Sequence, residues 1–226
     1  MRLRTAARRV VDPVQREYRQ WMLRRYLTVL QNQFRNGTNS SPAVLRRLRH
    51  FWSNDGWSAG TEFLEGMLRW LPKTAGTVVE CGSGLSTLIL AAATAGSARR
   101  IISLEHNEDW AVRVRTALPA SAGSHSDIAL TPIKSYGDFD WYSVDTVERL
   151  DAVGFVVCDG PPGSTRGGRY GLGPVLKNVL APGCLVMLDD AARAAERAVI
   201  VRWCRELPAE IVEDTDRYCM MRVGAR

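Results

Sequence analysis

The sequence predicts an α/β fold: a doubly wound, mostly parallel seven-stranded sheet behind an N-terminal helical extension. Three observations predict it. Seven short apolar runs recur from residue 77 onward, and helical stretches follow four of them. The first run breaks into Gly82-Ser83-Gly84 and restarts as a helix. Acids stand at or just past the ends of four runs: Glu80, Glu105, Asp159 and the pair Asp189-Asp190. Apolar strands alternating with helices bury both faces of a parallel sheet. Ligands of such sheets bind beyond the carboxyl ends of the strands.

In chain order, residues 14–34 read as an amphipathic helix. Val14, Tyr18, Trp21, Met22, Tyr26, Val29, Leu30 and Phe34 recur there at spacings of three and four. Asn36-Gly37 and the stretch Asn39 to Pro42 read as a linker. It divides a basic helical extension, 1–41, from the main domain, 42–226. A short basic helix follows at 43–50. The aromatic turn from His50 to Trp57 either covers a ligand pocket or closes the domain edge. Ser58 or Thr61 is expected to cap a helix over 62–71, which Pro72 ends. Then come strand 77–81, helix 85–94, strand 101–104, helix 108–118 and strands 128–133 and 153–158. Helix 172–180, strand 184–188 and helix 192–207 follow. Segments 210–212 and 218–223 form a hairpin-like edge.

The net charge of +6 is unevenly placed: residues 1–50 hold 12 arginines against Asp12 and Glu17, and the remainder is net acidic. The basicity thus belongs to the N-terminal segment. Its helix is expected to pack on the domain or on a second copy in a homodimer, or to lie on an anionic membrane surface. No nucleic-acid partner is expected, because no nucleic-acid motif accompanies the charge. The start of the chain does not read as a secretory signal, and no apolar run approaches the roughly 18 residues of a membrane span. Cys81, Cys158, Cys184, Cys204 and Cys219 show no metal spacing and are expected as reduced thiols of a cytoplasmic protein.

The stretch TVVECGSGLST, Thr77 to Thr87, is a strand, a glycine turn and a helix start. A helix N-terminus gathers unpaired N–H groups, and glycine lets a ligand come close to the backbone. Glu105 stands at the end of the next strand, where an acid can accept both hydroxyls of a ribose. The cradle therefore suits an adenosine cofactor. A dinucleotide site normally wants a third glycine where Thr87 stands. Glu80 would oppose a pyrophosphate and suits a ligand with an amino group or a sulfonium.

VVECGSGLST, SLEHNEDW, VVCDGPPG and APGCLVMLDDA, in that order, resemble the motif series of class I S-adenosylmethionine-dependent methyltransferases. The resemblance runs from about Glu62 to the C-terminal residues and implies a Rossmann-like methyltransferase fold. It implies that Gly82, Ser83 and Gly84 line the methionine end of S-adenosylmethionine. Glu80 would orient the amino group, Glu105 would hold the ribose, and His106, Ser135 and Tyr136 would lie near the adenine. Metal-dependent small-molecule O-methyltransferases of this superfamily place acids where Asp159, Asp189 and Asp190 stand. That likeness implies a Mg²⁺ site, with Asp159 activating the acceptor; the alternative is that Asp159 contacts substrate directly and Asp190 caps a helix. No lysine follows Asp159 within its glycine-rich loop, where metal-dependent relatives often carry a base.

The expected function is methyl transfer to a hydroxyl of a small molecule or glycan. A NAD(P)-dependent oxidoreductase is one alternative, disfavoured by the missing glycine and by the lack of a Tyr-Lys pair. The other is a non-enzymatic cofactor-binding protein working through its basic helix. Ser164, Thr165, Arg166, Arg169 and Tyr170 on the loop after Asp159 are candidate acceptor contacts. Arg193 and Arg197 either face the site or pair with neighbours such as Glu196.

Overall fold

A computed structural model describes residues 12–38, 40–54, 58–145, 147 and 150–224. The first eleven residues, and Asp55-Gly56-Trp57 of the aromatic turn, lie outside them. Three helices come first, α1 (Pro13–Arg35), α2 (Pro42–Trp52) and α3 (Thr61–Trp70). Pro sits at the start of both α1 and α2, where its missing N–H costs nothing, and the Asp12 and Ser41 side chains accept from Val14 N and Ala43 N. Neither Ser58 nor Thr61 caps α3. Gly60 stands at that position without a side-chain cap, and Thr61 Oγ1 instead accepts from Arg49 Nη1 at 3.2 Å.

The αβ alternation then runs β1 (Thr77–Cys81), α4 (Leu85–Ala93), β2 (Ile101–Glu105), α5 (Glu108–Ala117), β3 (Ser126–Leu130), β4 (Ile133–Ser135), β5 (Asp140–Tyr142) and β6 (Val153–Cys158). It continues as α6 (Leu172–Leu176), β7 (Leu180–Asp189), α7 (Ala194–Glu206), β8 (Ala209–Asp214) and β9 (Tyr218–Val223). The expected strand over 128–133 is two elements, because Pro132 has no N–H for a ladder and β4 instead pairs with β5 as a small hairpin. The expected helix to residue 180 ends at Leu176. Val153 N donates to Val179 O, which draws that segment into the sheet.

Seven strands form one sheet in the order β3-β2-β1-β6-β7-β9-β8. The first five are parallel, and β9 runs antiparallel between β7 and β8. The order reverses between β1 and β6, so their carboxyl ends flank the position where such sheets hold ligands. Alternation along each strand sends Val78, Phe155 and Met187 to one face, packed by α1 to α5. Val79, Cys81, Val156 and Leu188 face α6, α7 and the buried Trp141 and Trp203. Helix α1 belongs to the first face: Leu23, Leu27 and Leu30 are buried in the same apolar cluster as α2, α3 and α4. All five cysteines are free, and four of them are buried.

Candidate active site

The chain leaves β1 through Gly82, whose φ of 86° is a left-handed conformation that favours glycine. A Cβ there would also press within 3.3 Å of Gly160, at the end of the neighbouring β6. The space over Gly84 is open: a Cβ there would meet nothing within 4 Å. Ser83 ties this turn to β2. Its N–H and hydroxyl both donate to Glu105 Oε2, at 3.0 and 2.8 Å. Glu105 Oε1 accepts from the backbone N–H of His106 and Asn107 at 2.8 and 2.9 Å. Trp110 Nε1 closes the loop by donating to Ser83 O at 2.7 Å.

Glu80 is fully buried one residue before the turn. Its Oε2 accepts from the hydroxyls of Thr87 and Ser103 at 2.5 and 2.6 Å, while Oε1 has no hydrogen-bond partner among the described residues. Burial raises its pKa to about 7, against the opposing hydroxyls, and the nearby Glu105 charge adds to the rise. An acid held above its unfolded pKa stabilises the fold most when protonated. The Glu80 contribution to stability should therefore fall as pH rises from about 4.5 to about 7, by about 3 kcal/mol, and change no further above that. Urea titrations of the wild type and Glu80→Gln across this range should show that loss in the wild type alone. Identical pH slopes would show that Glu80 does not titrate there.

The other acids meet beyond β6 and β7. Carboxylate oxygens of Asp159, Asp189 and Asp190 lie within 4.8 Å of one another. Asp190 turns the chain with a φ of 57°. Two arginines thread this cluster. Arg169, whose side chain is 4% exposed, donates from Nη2 to Asp159 Oδ1 at 3.0 Å and to Asp190 Oδ2 at 3.1 Å. The same Nη2 reaches Asp159 O, and Nη1 reaches Asp189 O at 2.6 Å. Arg217 binds Asp189 Oδ2 at 2.5 Å and Asp190 Oδ1 at 3.1 Å. Arg193 adds a third contact to Asp190, and Glu196 lies 4.0 Å from Arg169. The Asp159 side chain is 27% exposed. Burial, and then the Asp189 charge, push its pKa up to about 8, with Arg169 pulling the other way.

Comparison with solved structures bears on the fold. An O-methyltransferase from Bacillus cereus in complex with SAH superposes with a TM-score of 0.53 at 15% identity, over 80% of this chain and 90% of that one. A putative O-methyltransferase from Klebsiella pneumoniae gives 0.53 at 14%, over 87% and 97%. A 16S rRNA N2 G1207 methyltransferase from T. thermophilus, in complex with AdoMet and guanosine, gives 0.51 at 15%, over 77% and 45%. This is the class I S-adenosylmethionine-dependent methyltransferase fold. No protein-family model and no curated protein sequence matches the chain. The methyltransferases that share the fold are named for different transfers, O-methylation and 16S rRNA N2 methylation among them, so the likeness establishes the fold and not the acceptor.

Within the methyltransferase fold, the residues suit S-adenosylmethionine on two counts. The glycine turn is open above Gly84, and Glu80 Oε1 and the buried Tyr142 hydroxyl are polar atoms awaiting partners. They suit Mg²⁺ less well, although Asp189 Oδ1 is buried without a hydrogen-bond partner among the described residues. The three acids converge as an ion site requires, but Arg169 and Arg217 already take one oxygen of Asp159, one of Asp189 and both of Asp190. A dication would have to compete with a buried guanidinium that matches the same carboxylates.

The remaining expected residues divide between two places. His106 stays beside Glu105, with Nδ1 3.2 Å from Oε1 and its ring 6.2 Å from that of Tyr142. Ser135 and Tyr136 lie instead on the β4–β5 hairpin. Ser135 Oγ accepts from Arg166 at 2.8 Å, and Tyr136 stacks on Phe139 at 5.3 Å while donating to Tyr142 O. Arg166 pairs with Asp140 and Arg197 with Asp214, and Tyr170 donates to Glu206. Sequence reasoning passed over Tyr142, Arg217 and the clamping role of Arg169. Tyr142 is buried with its hydroxyl against Gly160, between the Glu105 and Asp159 ends of the site.

Proposed function

We propose that the chain is an S-adenosylmethionine-dependent methyltransferase that methylates a hydroxyl of a small molecule or glycan without a metal ion. What supports this is the gathering of Glu80, Glu105 and Asp159 around an open glycine turn where strand order reverses. Bound there, S-adenosylmethionine would supply a methyl group on a sulfonium that already has a good leaving group. The protein's tasks are then alignment, exclusion of water and removal of the acceptor proton.

Glu105 would hold the ribose, exchanging some of the backbone and Ser83 donors it now accepts. Glu80 would face the amino group with its unpartnered oxygen. Asp159, once ionised, is the proton acceptor: Oδ1 accepts from Arg169, and the side chain is 27% exposed, within reach of an acceptor hydroxyl. Arg169 keeps the three aspartates together, the task a cation performs in metal-dependent enzymes.

Titration calorimetry with S-adenosylmethionine tests this reading. Binding by the wild type is expected, and Glu105→Ala should weaken it by about tenfold to a hundredfold, since hydrogen bonds to a charged group are lost. A folded wild type that binds no S-adenosylmethionine would overturn the reading. Unchanged affinity in Glu105→Ala would remove Glu105 from the ribose role.

A further inference from the structure

Helix α1 carries two apolar stripes. Leu23, Leu27 and Leu30 form one and are buried in the core. The other faces outward: Val14 is 70% exposed, and Tyr18 and Trp21 are each 55% exposed. Spacings of four and three place these side chains in one line along the helix. The Tyr18 and Trp21 rings lie 6.4 Å apart, and the Arg25 guanidinium sits 5.6 Å from the centre of the Trp21 ring. A lone exposed apolar residue is ordinary, but an aligned ridge with two large aromatics marks an interaction surface.

Beside this ridge lies a cavity of about 490 Å³. Arg16, Arg19 and Arg24 of α1, Phe51 and Trp52 of α2 and Arg113 of α5 line it, and no carboxylate does. Arg19 and Arg113 donate to the carbonyl oxygens of His50 and Trp52, and Arg113 lies 4.9 and 4.8 Å from the Trp52 and Trp110 rings. The arginines at the sheet end are different. Arg169, Arg193, Arg197 and Arg217 each hold a carboxylate. The cavity therefore concentrates positive charge that no carboxylate among the described residues pairs with, next to an apolar ridge.

We propose that α1 docks on a membrane surface containing anionic phospholipid. Val14, Tyr18 and Trp21 enter the headgroup boundary, and the arginine-lined cavity takes a lipid phosphate. Aromatic side chains settle at the depth of the headgroups, and arginines beside them pair with phosphates. Charge complementarity selects this occupant. A two-fold contact with a second copy would set these arginines against their own counterparts. A convex helix ridge lacks the groove that tracks a single-stranded nucleic acid.

Co-sedimentation of the full chain with phosphatidylcholine vesicles, with and without phosphatidylglycerol, tests the proposal. Binding is expected only with phosphatidylglycerol present, and it should weaken as salt rises. Replacing Arg16 and Arg24 together with Ala should weaken it roughly twenty-five-fold, at about fivefold per arginine. Replacing Tyr18 and Trp21 with Ser should weaken it by about tenfold or more. Both double variants should stay folded and keep the wild-type affinity for S-adenosylmethionine. No vesicle binding by the folded wild type, or vesicle binding that neither double variant weakens, would overturn the proposal. So would vesicle-independent self-association, or binding to homopolymeric RNA, that the same variants abolish.

Discussion

Arg169→Met is expected to abolish methyl transfer and to destabilise the protein by about 3–5 kcal/mol, the cost of leaving buried charges without their partner. The Arg169 guanidinium is buried among Asp159, Asp189 and Asp190, with Glu196 4.0 Å away. Removing it leaves Arg217 and Arg193 at the rim and no cation at the centre. Protonation of Asp159, whose pKa is already raised, will offset part of the loss. Chemical denaturation measures the stability, and transfer of labelled methyl measures the activity. The same variant separates an arginine clamp from a metal site. Wild-type transfer should be equal in EDTA and in Mg²⁺. Arg169→Met vacates the point where three carboxylates converge within 4.8 Å, so its melting temperature should rise with added Mg²⁺. Wild-type activity that disappears in EDTA and returns with Mg²⁺ would refute the clamp.

Asp159→Asn should lower kcat by about 10²- to 10⁴-fold, the usual worth of a positioned general base. Asparagine keeps an oxygen to accept from Arg169 Nη2, so the loop should hold its place, but it cannot take up a proton. Affinity for S-adenosylmethionine should change little, because the cradle is built by Ser83, Glu105 and Trp110. Single-turnover measurements with the cofactor prebound read the chemical step directly. A rate within a few-fold of wild type would leave Asp159 as a positioning residue and place proton removal elsewhere. Asp189→Asn is the useful contrast: Asp189 is wholly buried against Arg217, so its loss should appear in stability before it appears in rate.

The strands and the acids at their ends were legible in the sequence for a physical reason. A parallel strand buried on both faces must be apolar throughout, so Val78-Val79 and Phe155-Val156-Val157 stand out, and the polar residue that ends each run is conspicuous. The glycine turn was legible because a left-handed Gly82 leaves few other residue types possible. What pairs with those acids was not legible. Arg169 lies in a loop with no periodicity, and Arg217 precedes the last strand. Only the sheet order, which brings β9 beside β7, delivers Arg217 to Asp189. Three convergent aspartates suggest a cation equally well whether that cation is a metal or a guanidinium. Tyr142 was hidden by the β4–β5 hairpin, whose three-residue strands are too short to show alternation. The second apolar stripe of α1 was hidden by its neighbours. Val14, Tyr18 and Trp21 satisfy the same helical spacing as the core residues, and only burial separates the two sets.

The placement of β9 has a consequence for how the protein is made. Synthesis delivers β7, then β8, and only then the strand that must lie between them. Until β9 leaves the ribosome, β7 presents an unpaired, strongly apolar rim, and Asp189 has no Arg217 to meet it. The nascent chain therefore carries a half-neutralised acidic cluster at the end of an unfinished sheet. The insertion that covers the rim also delivers the arginine. Placing β9 between β7 and β8 therefore couples closure of the sheet edge to neutralisation of Asp189.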